Sequence, residues 1–238
     1  MYATARNPRC RHSIFLVTLA SAALAGPAAA QSASFGADIV SRYVWRGIDF
    51  GESVSVQPSL TLGAGGLEAG AWGSYSISAS GADANENDLW VTYSVVTSSG
   101  ASFSAGLTDY YFPAPDSELG FRHSEAHTLE WSLAFSGPES FPVSLFAGLV
   151  ADDDKPMYLE AGLPVALVDD VELGMHAGMV TTASAFYGTE GAALVNLGVT
   201  AAKDLEITDT FALPASVAYI YNPDQDRAFL FFGLSLAP

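Results

Sequence analysis

Three stretches of the chain keep the same two-residue rhythm. Leu129, Trp131, Leu133 and Phe135 alternate with Thr128, Glu130, Ser132 and Ala134. Met157, Leu159, Ala161, Leu163, Val165 and Leu167 alternate with Tyr158, Glu160, Gly162, Pro164 and Ala166, and Val171, Leu173, Met175, Ala177 and Met179 with Glu172, Gly174, His176, Gly178 and Val180. Extended chain sends successive side chains to opposite faces, so each stretch is a strand with one greasy face and one small or polar face. Half of the 238 residues are hydrophobic, yet no apolar run after Ala30 is long enough for a membrane helix. The apolar content is spread over strands, and the chain is all-β.

The same rhythm, broken by Gly, Asp, Asn and Pro, predicts twelve strands, the first over Ala33 to Ile48 and the last over Arg227 to Leu236. Their connections alternate in kind. DFGES, Ala79 to Asn87, Pro113 to Ala126, DDDKP, ASAFYGTEG and NPDQD are the long ones. Gly65-Gly66, SSG, GPESF, Asp169-Asp170 and Lys203-Asp204 are the tight ones. Long loops at one end and tight turns at the other, on an even number of antiparallel strands, describe a transmembrane up-and-down β-barrel of the bacterial outer membrane. A periplasmic sandwich shares the alternation of faces but has no reason to alternate its loops.

The first thirty residues fit that destination. Arg6, Arg9 and Arg11 precede the apolar run Ser13 to Ala25, and Ala28-Ala29-Ala30 before Gln31 reads as a cleavage site. Residues 1–30 are expected to be a cleaved signal peptide and residues 31–238 the barrel; a retained helical anchor is the alternative, although the run is short and ends near Pro27. The only cysteine, Cys10, lies in the leader, so no disulfide or thiol chemistry is expected in the mature chain. Six of the nine Lys+Arg then face 26 Asp+Glu, which excludes a nucleic-acid surface.

Within that barrel the stretch SRYVWRGID, Ser41 to Asp49, needs explaining, since it puts two arginines among aromatics. With Ile39, Tyr43 and Trp45 facing lipid, Arg42 and Arg46 face the lumen. The outward tyrosines Tyr75, Tyr111, Tyr219 and Tyr221 suit an aromatic girdle. Closure of the last strand on the first brings Arg227 beside Arg42 and Arg46 as one basic strip. Glu68, Glu130, Glu160 and Glu172, with Asp88 at the mouth and His176 further in, complete the expected pore lining. Opposed charges that meet make an ion-pair plug, whereas charges that water separates set up a transverse field sorting small solutes. Twelve strands lie between filled and open barrels, and both readings stand.

SRYVWRGID, followed by Gln57-Pro58 and by Gly70-Ala71-Trp72-Gly73-Ser74, resembles the N-terminal signature of the bacterial Gcw_chp family over about Ser41 to Ser74. The resemblance implies an outer-membrane barrel and carries no catalytic residues. The ending Phe231 to Pro238 lacks the terminal aromatic residue of many such barrels, a departure that bears on recognition of the last strand by the assembly machinery.

Motifs for chemistry are sparse. Lipid-cutting barrels pair His with Ser two residues on; here His127 is followed by Leu129 and His176 by Gly178, so no enzyme and no cofactor is expected. His123, Glu125 and His127 share a face if extended and offer ligands to a metal, but read more simply as loop polars. Asp152-Asp153-Asp154 and the other outer-loop acids, Asp49, Glu52, Asp83, Glu86, Asp116, Glu118, Glu190, Asp224 and Asp226 among them, form an acidic rim that attracts cations, divalent ones included, unless the acidity is salt adaptation. The sequence thus points to a narrow passive channel for small polar or cationic solutes, with outer-membrane lipid and solutes as partners. A closed structural or ligand- or partner-binding barrel without transport is the alternative, and an outer-membrane enzyme ranks third.

Overall fold

A computed structural model describes residues 31–236 apart from 80, 82–84, 114–120, 122–125 and 152–153. The expected signal peptide, and Asp83, Asp116, Glu118, His123, Glu125, Asp152 and Asp153, lie outside the described residues. Fourteen strands follow one another: β1 (Gln31–Val40), β2 (Tyr43–Trp45), β3 (Ile48–Gly51), β4 (Ser55–Ala64), β5 (Leu67–Ser76), β6 (Glu86–Val96), β7 (Ser102–Tyr111), β8 (His127–Ser136), β9 (Ser144–Val150), β10 (Met157–Val168), β11 (Val171–Val180), β12 (Ala193–Thr208), β13 (Phe211–Asn222) and β14 (Arg227–Leu236). Twelve of them close an antiparallel barrel in which each pairs with its sequence neighbours and β14 returns to β1, while β2 and β3 make a separate two-stranded sheet.

The barrel matches the expected strand count, but its first strand is shorter than expected. β1 stops at Val40, and β4 pairs along its whole length, from Gln31↔Ala64 to Val40↔Ser55. The segment between them leaves the wall and folds inward as the β2–β3 hairpin. Arg46 and Gly47 are its two-residue tip, with φ of 48° and 78° and the flanking pair Trp45↔Ile48. Two positive φ values define the primed turn whose twist suits a tight hairpin. Tyr43 and Trp45, expected to face lipid, are therefore buried inside the barrel. A wall strand and an inserted hairpin alternate alike, so the rhythm alone did not separate them.

A second difference lies at the other end. β12 runs through Lys203-Asp204, where a turn was expected, and pairs with β13 as far as Thr208↔Phe211. The turn falls at Asp209-Thr210, where the Thr208 hydroxyl accepts the Phe211 N–H at 3.0 Å. Asp169-Asp170 is a tight turn as expected, both residues having positive φ.

Outside, an apolar belt encircles the wall, with Leu62, Val91, Tyr93, Trp131, Leu133, Val199, Leu230 and Phe232 all exposed. Tyr75 and Tyr219 lie exposed on the same surface. Monomers in water do not present apolar surface on this scale, whereas bilayer-spanning barrels do. Among the described residues no helix is long and apolar enough to cross a membrane. The closed twelve-strand barrel is compatible with an outer-membrane location.

Candidate functional site

The packed core of this protein lies within the lumen, at the end that carries the long connections. Each of the twelve wall strands contributes at least one buried inward residue there: Val40, Gln57, Ser74, Glu86, Tyr110, Glu130, Val150, Tyr158, Val180, Val195, Ile220 and Phe229. Around the whole circumference, water is excluded by the β2–β3 hairpin and by the Ser184–Thr189 turn that descends beside it. In the other half of the lumen the inward positions are small and hydroxylated. Thr61, Ser104, Ser132, Ser144 and Thr200 are only partly buried, so that end is an open polar vestibule.

Arg46 at the hairpin tip is the centre of the plug. Its guanidinium donates to Glu130 through both arms, Nη1 to Oε2 at 2.5 Å and Nη2 to Oε1 at 2.8 Å, and Nη1 also donates to the Tyr187 hydroxyl at 2.6 Å. Tyr110 donates to Glu130 Oε1 at 3.2 Å. The rings of Trp45, Tyr158 and Phe146 lie 4.2, 4.4 and 4.9 Å from the guanidinium carbon. Trp45 stacks on Tyr187 and Tyr187 on Tyr158, with interplanar angles of 13° and 8°. The planar fork satisfies a buried carboxylate at two points while its faces meet aromatic rings, a combination that lysine does not offer. Burial pushes the Tyr187 phenol up to about 12 even beside the arginine, so it stays protonated at physiological pH.

The tip itself needs glycine twice over. Gly47 has positive φ, and a Cβ there would run into the Val195 carbonyl on β12. Asn222, fully buried on β13, donates Nδ2 to the Gly47 carbonyl at 3.1 Å. Gly47 thus packs on β12 and β13, three and two strands round from β1, while Arg46 beside it reaches across the lumen to Glu130 on β8. On its flank Tyr43 packs against Trp72 and Phe50, and Asp49 is held by Arg42 at 3.0 Å and approached by Arg227 at 4.0 Å.

This geometry splits the expected basic strip. Arg42 and Arg227 do converge, over the Phe229 ring and on Asp49, but Arg46 is carried across the lumen to the acidic wall. Asp49 and Glu86, expected in the acidic outer rim, are lumen residues with buried carboxylates. Asp88 and Glu130 lie in the lumen as expected. Glu160 accepts from Tyr158 and, at 3.0 Å, from Asn196 Nδ2, while His176 Nε2 sits 3.1 Å from Asn196 Oδ1. Glu68 is half-buried near the short-turn end, and Glu172 is exposed at that rim. His127 is not a free metal ligand: Nδ1 meets Asp109 Oδ1 at 2.9 Å and Nε2 meets the Phe121 carbonyl at 2.7 Å. Among the described residues no three of His, Cys, Asp and Glu converge as metal ligands.

Sequence reasoning passed over Tyr110, Tyr158, Tyr187, Asn196, Asn222 and Gly47. For Gly47 a signal existed, since two short apolar runs around an X-Gly pair are the mark of a hairpin. Tyr158 carried a partial one, since it shares the inward face with Glu160, whereas Tyr187 lies in a loop, where strand parity says nothing.

Fold and site together define a class: closed twelve-strand β-barrels, consistent with outer-membrane barrels, whose lumen is occupied by an inward-folded loop. More particularly, the chain belongs to the family described as "Bacterial protein of unknown function (Gcw_chp)", which it matches over residues 24–228, well beyond the Ser41 to Ser74 signature. No curated protein matches it.

Proposed function

We propose that the protein is a passive outer-membrane channel for small polar or cationic solutes, held shut at rest by its own first long loop. The observation that carries this reading is that the hairpin filling the lumen is no part of the wall. Because β1 and β4 are paired down to Val40↔Ser55, and Ser41 and Val54 are hydrogen-bonded to the wall at Phe232 and Ile77, the hairpin between them can swing on Arg42 and on residues 52–53 without breaking the β1–β4 ladder. The hydroxyl-lined vestibule suits small polar solutes, and Glu68, Glu160 and Glu172 along it favour cations over anions. No catalysis is proposed, since both nitrogens of His127 are engaged and His176 is tied to Asn196.

The density of contacts on Arg46 favours a second reading, a permanently closed structural barrel. Liposome swelling separates the two. The wild-type barrel should admit small sugars slowly and the Glu130→Gln variant clearly faster, with anionic solutes excluded in both. If neither protein admits any solute while both remain folded, the channel reading is wrong and the structural one stands.

A further inference from the structure

The plug buries more negative than positive charge, and the excess is localised. Arg46 and Glu130 neutralise one another, and Asp49 has Arg42 and Arg227. Glu86 and Asp88, two apart on the inward face of β6, have no such partner. The two residues are 2% and 8% exposed; Glu86 hydrogen-bonds Tyr43 and Asp88, but one oxygen of each carboxyl, Glu86 Oε2 and Asp88 Oδ1, is buried without a hydrogen-bond partner among the described residues. No arginine, lysine or histidine forms an ion pair with either among the described residues. Two ionised carboxylates side by side in a water-excluded site would cost several kcal/mol each, on the order of 5, so a cation or a shared proton accompanies them.

The surroundings are made of oxygen. Ser74, 2% exposed, stands directly across from Glu86 on β5 in the strand register. Gln57 on β4 donates Nε2 to Ser74 Oγ at 3.2 Å and brings an amide oxygen to the same wall. From the hairpin side, the Tyr43 hydroxyl approaches Glu86. Two carboxylates, an amide oxygen and two hydroxyls, with no nitrogen or sulfur ligand, form the donor set of a hard cation.

We propose that Glu86 and Asp88 bind a hard divalent cation of the calcium type between the wall and the root of the hairpin, with Ser74, Gln57 and Tyr43 as neutral oxygen partners. The cation ties β4, β5 and β6 to the inserted hairpin, because Tyr43 is the first residue of β2. Only two carboxylates contribute, so the affinity belongs with weak extracellular sites, about 10⁻⁴ to 10⁻³ M. The site is distinct from the acidic outer loops, and it does not depend on whether the barrel conducts.

Terbium, which replaces calcium and emits when excited through a nearby aromatic ring, tests the proposal directly. Tyr43 and Trp72, with ring centroids 5.4 Å apart at the site, are the sensitisers. The folded full-length barrel in detergent should show sensitised terbium emission that calcium displaces at millimolar concentration, and ~10 mM calcium should raise its unfolding temperature by roughly 2–6 °C over the chelator-treated protein. The Glu86→Gln/Asp88→Asn variant, which keeps shape and removes charge, should lose both responses. Should that double variant fold poorly, Ser74→Ala should still weaken the terbium signal several-fold. Wild-type protein indifferent to calcium and chelator overturns the proposal in favour of a proton held between the two carboxyls. A calcium response undiminished in the double variant also overturns it, by placing the binding on the outer loops.

Discussion

Arg46 shows how one residue fixes what the lumen can do. Its side chain and that of Glu130 are 9% and 2% exposed, so removing either strands the other in a site without water. Arg46→Ala is expected to destabilise the barrel by about 3–5 kcal/mol, the usual cost of breaking a buried pair, read as a fall in the urea midpoint in detergent. A midpoint unchanged within error would mean that the pair is solvated. Gly148 tests the same contact from the wall. A Cβ there would come within 2.6 Å of the Glu130 carboxyl, so Gly148→Ala should displace the carboxylate and reproduce part of the Arg46→Ala loss. Equal stability of Gly148→Ala and wild type would place Glu130 elsewhere. Strand parity placed Glu130 inward, whereas Arg46 lies in the lumen because the hairpin carries it there and not through the parity of a wall strand. The sequence did not show that they touch, because their meeting depends on a hairpin that carries Arg46 away from β1.

At the scale of elements, alternation made the wall legible and hid the plug. Eleven strands could be placed by rhythm and turn residues because each has an apolar outer face and a lumen-facing inner one, two environments that write a period of two. The β2–β3 hairpin carries a similar pattern for another reason, with Tyr43 and Trp45 packed in the aromatic cluster while Val44 packs against Val40, Ile220 and Phe229. The misplaced turn has a similar origin. Lys203-Asp204 looks like a turn because charges interrupt the greasy run, yet Leu205 and Ile207 continue the outward face, and β12 and β13 project as a hairpin beyond the pairing limits of β11 and β14, which end at Ala202 and Ala215. Cysteine labelling checks the corrected topology. Thr210→Cys should be shielded from a membrane-impermeant maleimide on intact cells, and Glu190→Cys should react. The reverse pattern would invert the barrel.

For the whole molecule, the closed wall and the apolar belt are compatible with an outer-membrane barrel, for which resistance to detergent until heating is the expected outcome. Unheated samples should migrate faster on gels than boiled ones, and recovery of the protein in a soluble fraction without detergent would exclude the outer-membrane placement. The loop that fills the lumen lies outside the pairing that closes the wall. Replacing residues 41–54 with Asn-Gly, a turn suited to joining the paired ends Val40 and Ser55, removes the plug and leaves the twelve wall strands. Planar-bilayer recording of that variant beside the wild type is the most direct measurement. Long closed intervals with rare openings are predicted for the wild type, and steady, cation-selective conductance for the variant. Steady conductance in the wild type, or a folded variant that never conducts, would contradict the account.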